Sequence, residues 1–173
     1  MRRKQQGMSV LELMISIGLT AVLMGLAVPS MGQLIATQRI SAATNQMIAH
    51  LQYARLQAVT RKLDVIACPS VDRRVCSGNR WDRGWMIFSD KNGNGRPDTD
   101  RDLLRVIQID ERATIASGGR FRVRFQPTGG AYGTNLTLKI CSSDQAVEGR
   151  AVIVSNPGRV RFERRLPLAE CHG

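Results

Sequence analysis

Gly7-Met8-Ser9-Val10-Leu11-Glu12-Leu13-Met14-Ile15 opens an apolar run that continues to Val28. Arg2, Arg3 and Lys4 precede it, and Glu12 is the one charged residue among the 21 from Met8 to Val28. A helix of that length rises about 32 Å, enough to cross a bilayer core. One carboxylate within such a span costs roughly 2.5–3.5 kcal/mol on insertion scales, so Glu12 needs a partner. A secretory signal peptide fits poorly. Its nearest cleavage site, Gly25-Leu26-Ala27-Val28-Pro29, is weak, and Glu12 would interrupt its apolar region. Pro29 should kink or locally melt the helix.

Beyond Pro29 the helical pattern resumes. Ile40, Ala43, Met47, Leu51, Ala54 and Ala58 recur at spacings of 3, 4, 4, 3 and 4, one apolar stripe. The spacing predicts one long helix from about Ser9 to Thr60, its second half lying on a sheet. From Leu63 onward the pattern turns to short strands with turn punctuation, at 63–68, 84–89, 103–109, 120–126, 136–141, 151–155 and 159–163. In Arg120-Phe121-Arg122-Val123-Arg124-Phe125 the alternation puts apolar residues on one side and arginines on the other. A long helix followed by antiparallel strands is an α+β arrangement, an anchor plus one domain.

The chain is basic, with 25 Lys and Arg against 14 Asp and Glu, a net charge of +11. Arginine supplies 21 of the 25. Such a balance points to a polyanion, an acidic membrane surface or plain solubility, and arginine suits bidentate contact with phosphate. Positive residues before the apolar run leave the basic end in the cytoplasm and the domain outside, where disulfides form. Cys68, Cys76, Cys141 and Cys171 allow three pairings. Cys68–Cys76, a short closure, and Cys141–Cys171, which ties the tail to a strand, are preferred. The spacings do not match a zinc site, and His172 stands apart from a second histidine.

Two stretches carry further chemistry. From Asp90 to Asp100, oxygen-bearing residues alternate and Gly95 stands sixth, as at the start of a calcium loop. The twelfth residue is Arg101 rather than a glutamate, and the Asn-Gly pairs with Pro97 equally mark a turn between strands, the preferred reading. Second, Pro157-Gly158 makes a tight turn before Arg159-Val160-Arg161-Phe162. Arg159 and Arg161 should share a strand face about 6.7 Å apart, a spacing that grips successive phosphates, with Val160 and Phe162 turned to the core. Arg164 and Arg165 extend the positive surface, and Arg120, Arg122 and Arg124 are candidates to join it. A charged edge strand that resists aggregation is the simpler alternative.

A basic leader ending in Gly7, apolar Met8, Glu12 five residues after that glycine and a long apolar helix together resemble a type IV prepilin or pseudopilin. The resemblance implies a leader at 1–7 removed by a prepilin peptidase between Gly7 and Met8, and methylation of the new amine. It divides the rest into a transmembrane and assembly helix at 8–28, an amphipathic helix half at 29–61 and a periplasmic or extracellular β-rich domain at 62–173. Glu12 would neutralise the Met8 amine of its own or a neighbouring chain and so set subunit register. The plan of nearly the whole chain is similar to the FimT/FimU/GspH group of minor pilins and pseudopilins, with a Cys68-Pro69-Ser70 stretch and a Gly84-Trp85-Met86-Ile87-Phe88 strand before the Asp/Asn/Gly turn.

Within that group, FimT-like proteins bind DNA through a C-terminal Gly-Arg-x-Arg element, which Gly158, Arg159 and Arg161 match. The expectation is a minor pilin that sits in the inner membrane by a single span before assembly. It then joins other pilins and holds extracellular double-stranded DNA by its backbone for uptake in transformation. A FimU-like assembly subunit and a GspH-type pseudopilin of a type II secretion system are the alternatives. No metal, cofactor or enzymatic constellation is expected, because His50 and His172 are the only histidines and neither lies near a plausible nucleophile.

Overall fold

A computed structural model of the chain describes residues 9–72, 74–108, 113–143 and 147–171, apart from the side chains of residues 26–30 and Arg164. Gly7, Met8, the end of the strand expected to reach Ile109, and His172 lie outside the described residues. The chain divides into two compact units, one ending at Ile35 and one beginning at Ala36.

Helix α1 covers Val10–Arg61. It keeps its helical form through Pro29, so the melting expected there is not seen. A proline removes one N–H donor, and the bonds of the turns on either side are left to carry the helix. In the first unit the apolar residues are exposed all round, from Val10 and Leu11 through Ile17 and Leu19 to Met24. The hydroxyls of Ser16 and Thr20 donate to the carbonyls of Glu12 (2.8 Å) and Ser16 (2.7 Å), which satisfies them within the helix itself. Among the described residues no helix is long and apolar enough to cross a membrane.

In the second unit the apolar stripe is buried along its whole expected length, from Ile40 to Ala58. These residues join the inner faces of two four-stranded antiparallel sheets in one core. Each large aliphatic side chain so buried contributes about 1.5–3 kcal/mol. The first sheet contains β1 (Asp64–Pro69), β2 (Trp85–Asp90) and β3 (Leu103–Ile107). Strand β5 (Val123–Phe125) completes it in the order β3-β2-β1-β5. The second holds β4 (Ala113–Ser117), β6 (Leu136–Ser142), β7 (Gly149–Val154) and β8 (Val160–Leu166), in the order β4-β6-β7-β8. The fold is α+β, as expected.

Three details differ from the sequence reading. Strand β4 is additional: Ala113, Ile115 and Ser117 point inward and are buried. Strand β5 begins only at Val123, so Phe121 lies outside it and is 42% exposed. Phe162 is 40% exposed although it shares the face of buried Val152, because β8 is the edge strand of its sheet.

Both preferred disulfides are formed, Cys68–Cys76 with Cα atoms 5.5 Å apart and Cys141–Cys171 at 5.9 Å. By loop-closure entropy they contribute about 2.5 and 3.5 kcal/mol. The second pins the short 3-10 helix Leu168–Cys171 over the outer face of the second sheet, where Cys141, Ala151, Leu166 and Cys171 form a small cluster.

Candidate nucleic-acid interface

The β7–β8 connection is a five-residue loop, residues 155–159. Ser155 N–H donates to the Arg159 carbonyl (3.1 Å), and Gly158 N–H donates back to the Ser155 carbonyl (2.8 Å). Gly158 has φ +76°, which a side chain adopts only at a cost. It is also boxed in: a Cβ there would lie 1.9 Å from the carbonyl oxygen of Gly129. That same carbonyl accepts a bond from Arg55 Nε of α1 (2.9 Å), and Ala131 N–H donates to the Asn156 carbonyl (2.7 Å). The turn is therefore clamped to the β5–β6 loop and, through Arg55, to the helix.

From this clamp the two arginines emerge. Arg159 and Arg161 are both exposed, but β8 begins only at Val160, so Arg159 ends the loop instead of sharing a strand face with Arg161, which lies opposite Ile153 of β7 on the outward face. Arg161 lines an open groove of about 680 Å³ between residues 118–120 and the turn at 155–157. Arg120 lines the opposite side, held by a bond from Nη1 to the Asn135 carbonyl (3.0 Å) and by a second to the Asn135 side chain. A groove lined by two guanidiniums, with exposed Arg159 next in sequence to its turn, suits a linear polyanion.

The other candidate arginines are placed elsewhere. The pairing between β7 and β8 shifts between Gly149 and Ala151, so Gly149 faces Leu166 while Ala151 faces Glu163. That extra residue in β8 turns Arg165 toward a separate hollow lined by Thr37, Ile40 and Glu148, away from Arg161. Arg164 lies outside the described side chains. The Arg122 guanidinium packs beside Gly95 and over the Phe121 ring (5.5 Å), and Arg124 lies 3.8 Å from Asp64 on the first sheet. Of the additional arginines with described side chains, Arg120 alone joins the groove. Gly129, a turn glycine, and Arg55, on a polar face of the helix, carry no sign in the sequence that they fix this turn. The Gly129-Gly130 pair marks a turn there, but its contact with Gly158 is tertiary.

Glu12 sits in the first unit among exposed apolar side chains. Its expected counter-charge, the Met8 amine, lies outside the described residues.

Comparison with known proteins agrees with this architecture. The family model described as "Type II transport protein GspH" matches residues 43–158. That of the "Prokaryotic N-terminal methylation motif" matches residues 2–28. The chain is similar to the pilin-like protein PilA1 of Thermus thermophilus, 27% identical over 172 residues, covering 92% of this chain and 99% of that one. Its fold is similar to the type IV minor pilin FimU of Pseudomonas aeruginosa, with a TM-score of 0.56 at 23% identity, over 75% of this chain and 94% of that chain. It is likewise similar to the minor pseudopilin EpsH of the Vibrio cholerae type 2 secretion system, with a TM-score of 0.53 at 15% identity, over 71% and 94%.

Proposed function

The chain belongs to the GspH family of type IV minor pilins and pseudopilins, and from that premise we propose that it is a minor pilin whose C-terminal turn holds double-stranded DNA for uptake. Prepilin peptidase cuts between Gly7 and Met8, the new amine is methylated, and the apolar helix anchors the subunit in the inner membrane by a single span. During assembly the exposed apolar helix exchanges lipid for neighbouring pilin helices, and Glu12 meets a Met8 amine in that low-dielectric bundle. The β-rich domain then stands outside the cell.

The observation that supports the DNA reading is the clamped turn followed by exposed Arg159 and Arg161, with Arg161 and Arg120 lining one groove. Because the backbone of the turn is fixed, binding phosphates orders only the arginine side chains and not the chain that carries them. Contacts of this kind read no sequence and weaken with salt. A gel-retardation assay of the full chain in detergent tests the reading. The double variant Arg159→Gln, Arg161→Gln should lose retardation while its circular dichroism stays unchanged. Equal retardation by the variant would remove the assignment. In that case the family membership leaves a subunit that primes filament assembly or serves a secretion pseudopilus.

A further inference from the structure

The loop between β2 and β3 is built around a buried carboxylate. Asp90, the last residue of β2, is 4% exposed. Its Oδ2 accepts the Gly95 N–H (3.0 Å), which turns the carboxylate toward the inside of the loop. No donor among the described residues reaches its Oδ1, which is buried as well. Leaving a carboxylate oxygen buried and unpartnered is costly. The same loop gathers more oxygens. The amide oxygens of Asn92 and Asn94 accept the N–H groups of Asn94 (3.1 Å) and Arg96 (2.8 Å), and each amide nitrogen reaches the Asp98 carboxylate at 2.9 Å. Asn92 and Asn94 thus converge on Asp98, in the loop whose Gly95 N–H is held by Asp90.

We propose that this loop binds a calcium ion, with Asp90, Asn92, Asn94 and Asp98 as side-chain ligands and the Arg96 carbonyl as a main-chain ligand. Each amide oxygen has a second lone pair free for the ion beside the N–H it accepts. Asp98 would exchange the amide nitrogens for the cation, and Asp90 Oδ1 would gain the partner it lacks. The ligand set, two carboxylates, two amide oxygens and a main-chain carbonyl, is hard oxygen with few charges, and among the described residues no three carboxylate, imidazole or thiol groups converge. That favours Ca²⁺ over Zn²⁺, and the irregular loop favours it over Mg²⁺, which demands a near-ideal octahedron. Asp102 stays outside the set. Its carboxylate is paired with Lys91 (2.7 Å) and accepts from the Thr99 hydroxyl (2.8 Å). The Arg122 guanidinium beside Gly95 opposes a second positive charge. Affinity should accordingly fall in the weak range of extracellular modules, with a Kd of about 10⁻⁴ to 10⁻³ M. The site stands apart from the arginine groove and does not depend on the DNA reading.

The unfolding midpoint of the full chain in detergent, followed across a Ca²⁺ titration and a parallel Mg²⁺ titration, tests this. Ca²⁺ should raise the midpoint with a saturating profile that gives a Kd in the stated range, and Mg²⁺ should raise it far less. Asp98→Ala and, separately, Asn94→Ala change exposed side chains and should each weaken Ca²⁺ binding at least tenfold. An unchanged wild-type midpoint up to about 10 mM Ca²⁺, ten times the weakest expected Kd, would overturn the proposal. So would a Ca²⁺ response that both variants retain in full.

Discussion

The turn at 155–158 and the loop at 90–102 both join antiparallel neighbours and both set a glycine at positive φ, yet they are held by different means. At Gly158 the obstructing neighbour is backbone, the Gly129 carbonyl, itself fixed by Arg55. At Gly95 it is the tip of the Arg122 side chain, 2.5 Å from where a Cβ would stand. The first turn cannot adjust and displays cations outward. The second is shaped by side-chain bonds to its own backbone, bonds that can be exchanged, and it turns oxygens inward. Rigidity suits presentation to a large external polyanion, whereas adaptable oxygens suit closure around a small cation.

Alanine at the two glycines breaks the comparison most directly. Gly158→Ala combines a left-handed backbone, about 1–2 kcal/mol, with an overlap that only backbone movement relieves, so denaturant unfolding should show a loss of about 3 kcal/mol or more. Gly95→Ala meets the same backbone cost but displaces only a flexible guanidinium, and the loss should be about 1–2 kcal/mol. Equal losses would mean that the clamp at Gly129 is not what distinguishes the turns.

A smaller effect separates the turns by pH. The Lys91 ammonium, followed by the Thr99 hydroxyl, holds the Asp102 carboxyl down at about 2. A carboxyl depressed in the folded state adds stability above its unfolded value near 3.9, and that stability is lost as pH falls toward 2. Acid unfolding should therefore steepen between about pH 4 and pH 2, and Lys91→Met should shift the acid midpoint upward. Arg159→Gln, on the rigid turn, should leave that midpoint unmoved.

Much of this molecule is legible in the sequence where one local period governs. The stripe from Ile40 to Ala58 is continuous because one helix face meets one core, and each of its six members is buried as the spacing requires. Legibility fails where the deciding partner is distant. Strand β4, Ala-Thr-Ile-Ala-Ser, has a single large strand former, and its pairing with β6 supplies what its propensity lacks. Alternation puts Phe121 on an apolar side and Phe162 toward the core, but alternation fixes a face and says nothing of whether that face is covered. The register shift in β8 separates Arg165 from Arg161, though a run of arginines reads as one patch. Gly158 is readable as a turn glycine, while its contact with Gly129 belongs to the packing of one sheet's loop on the other's.

The central claim is that Arg159 and Arg161 grip phosphates. The slope of log affinity for duplex DNA against log salt concentration, measured on the full chain and on Arg159→Gln, Arg161→Gln, tests it most directly. Two lost phosphate contacts should flatten the slope by about 1.8 and lower affinity at low salt without altering stability. An unchanged slope and affinity would place DNA contact elsewhere and contradict the account.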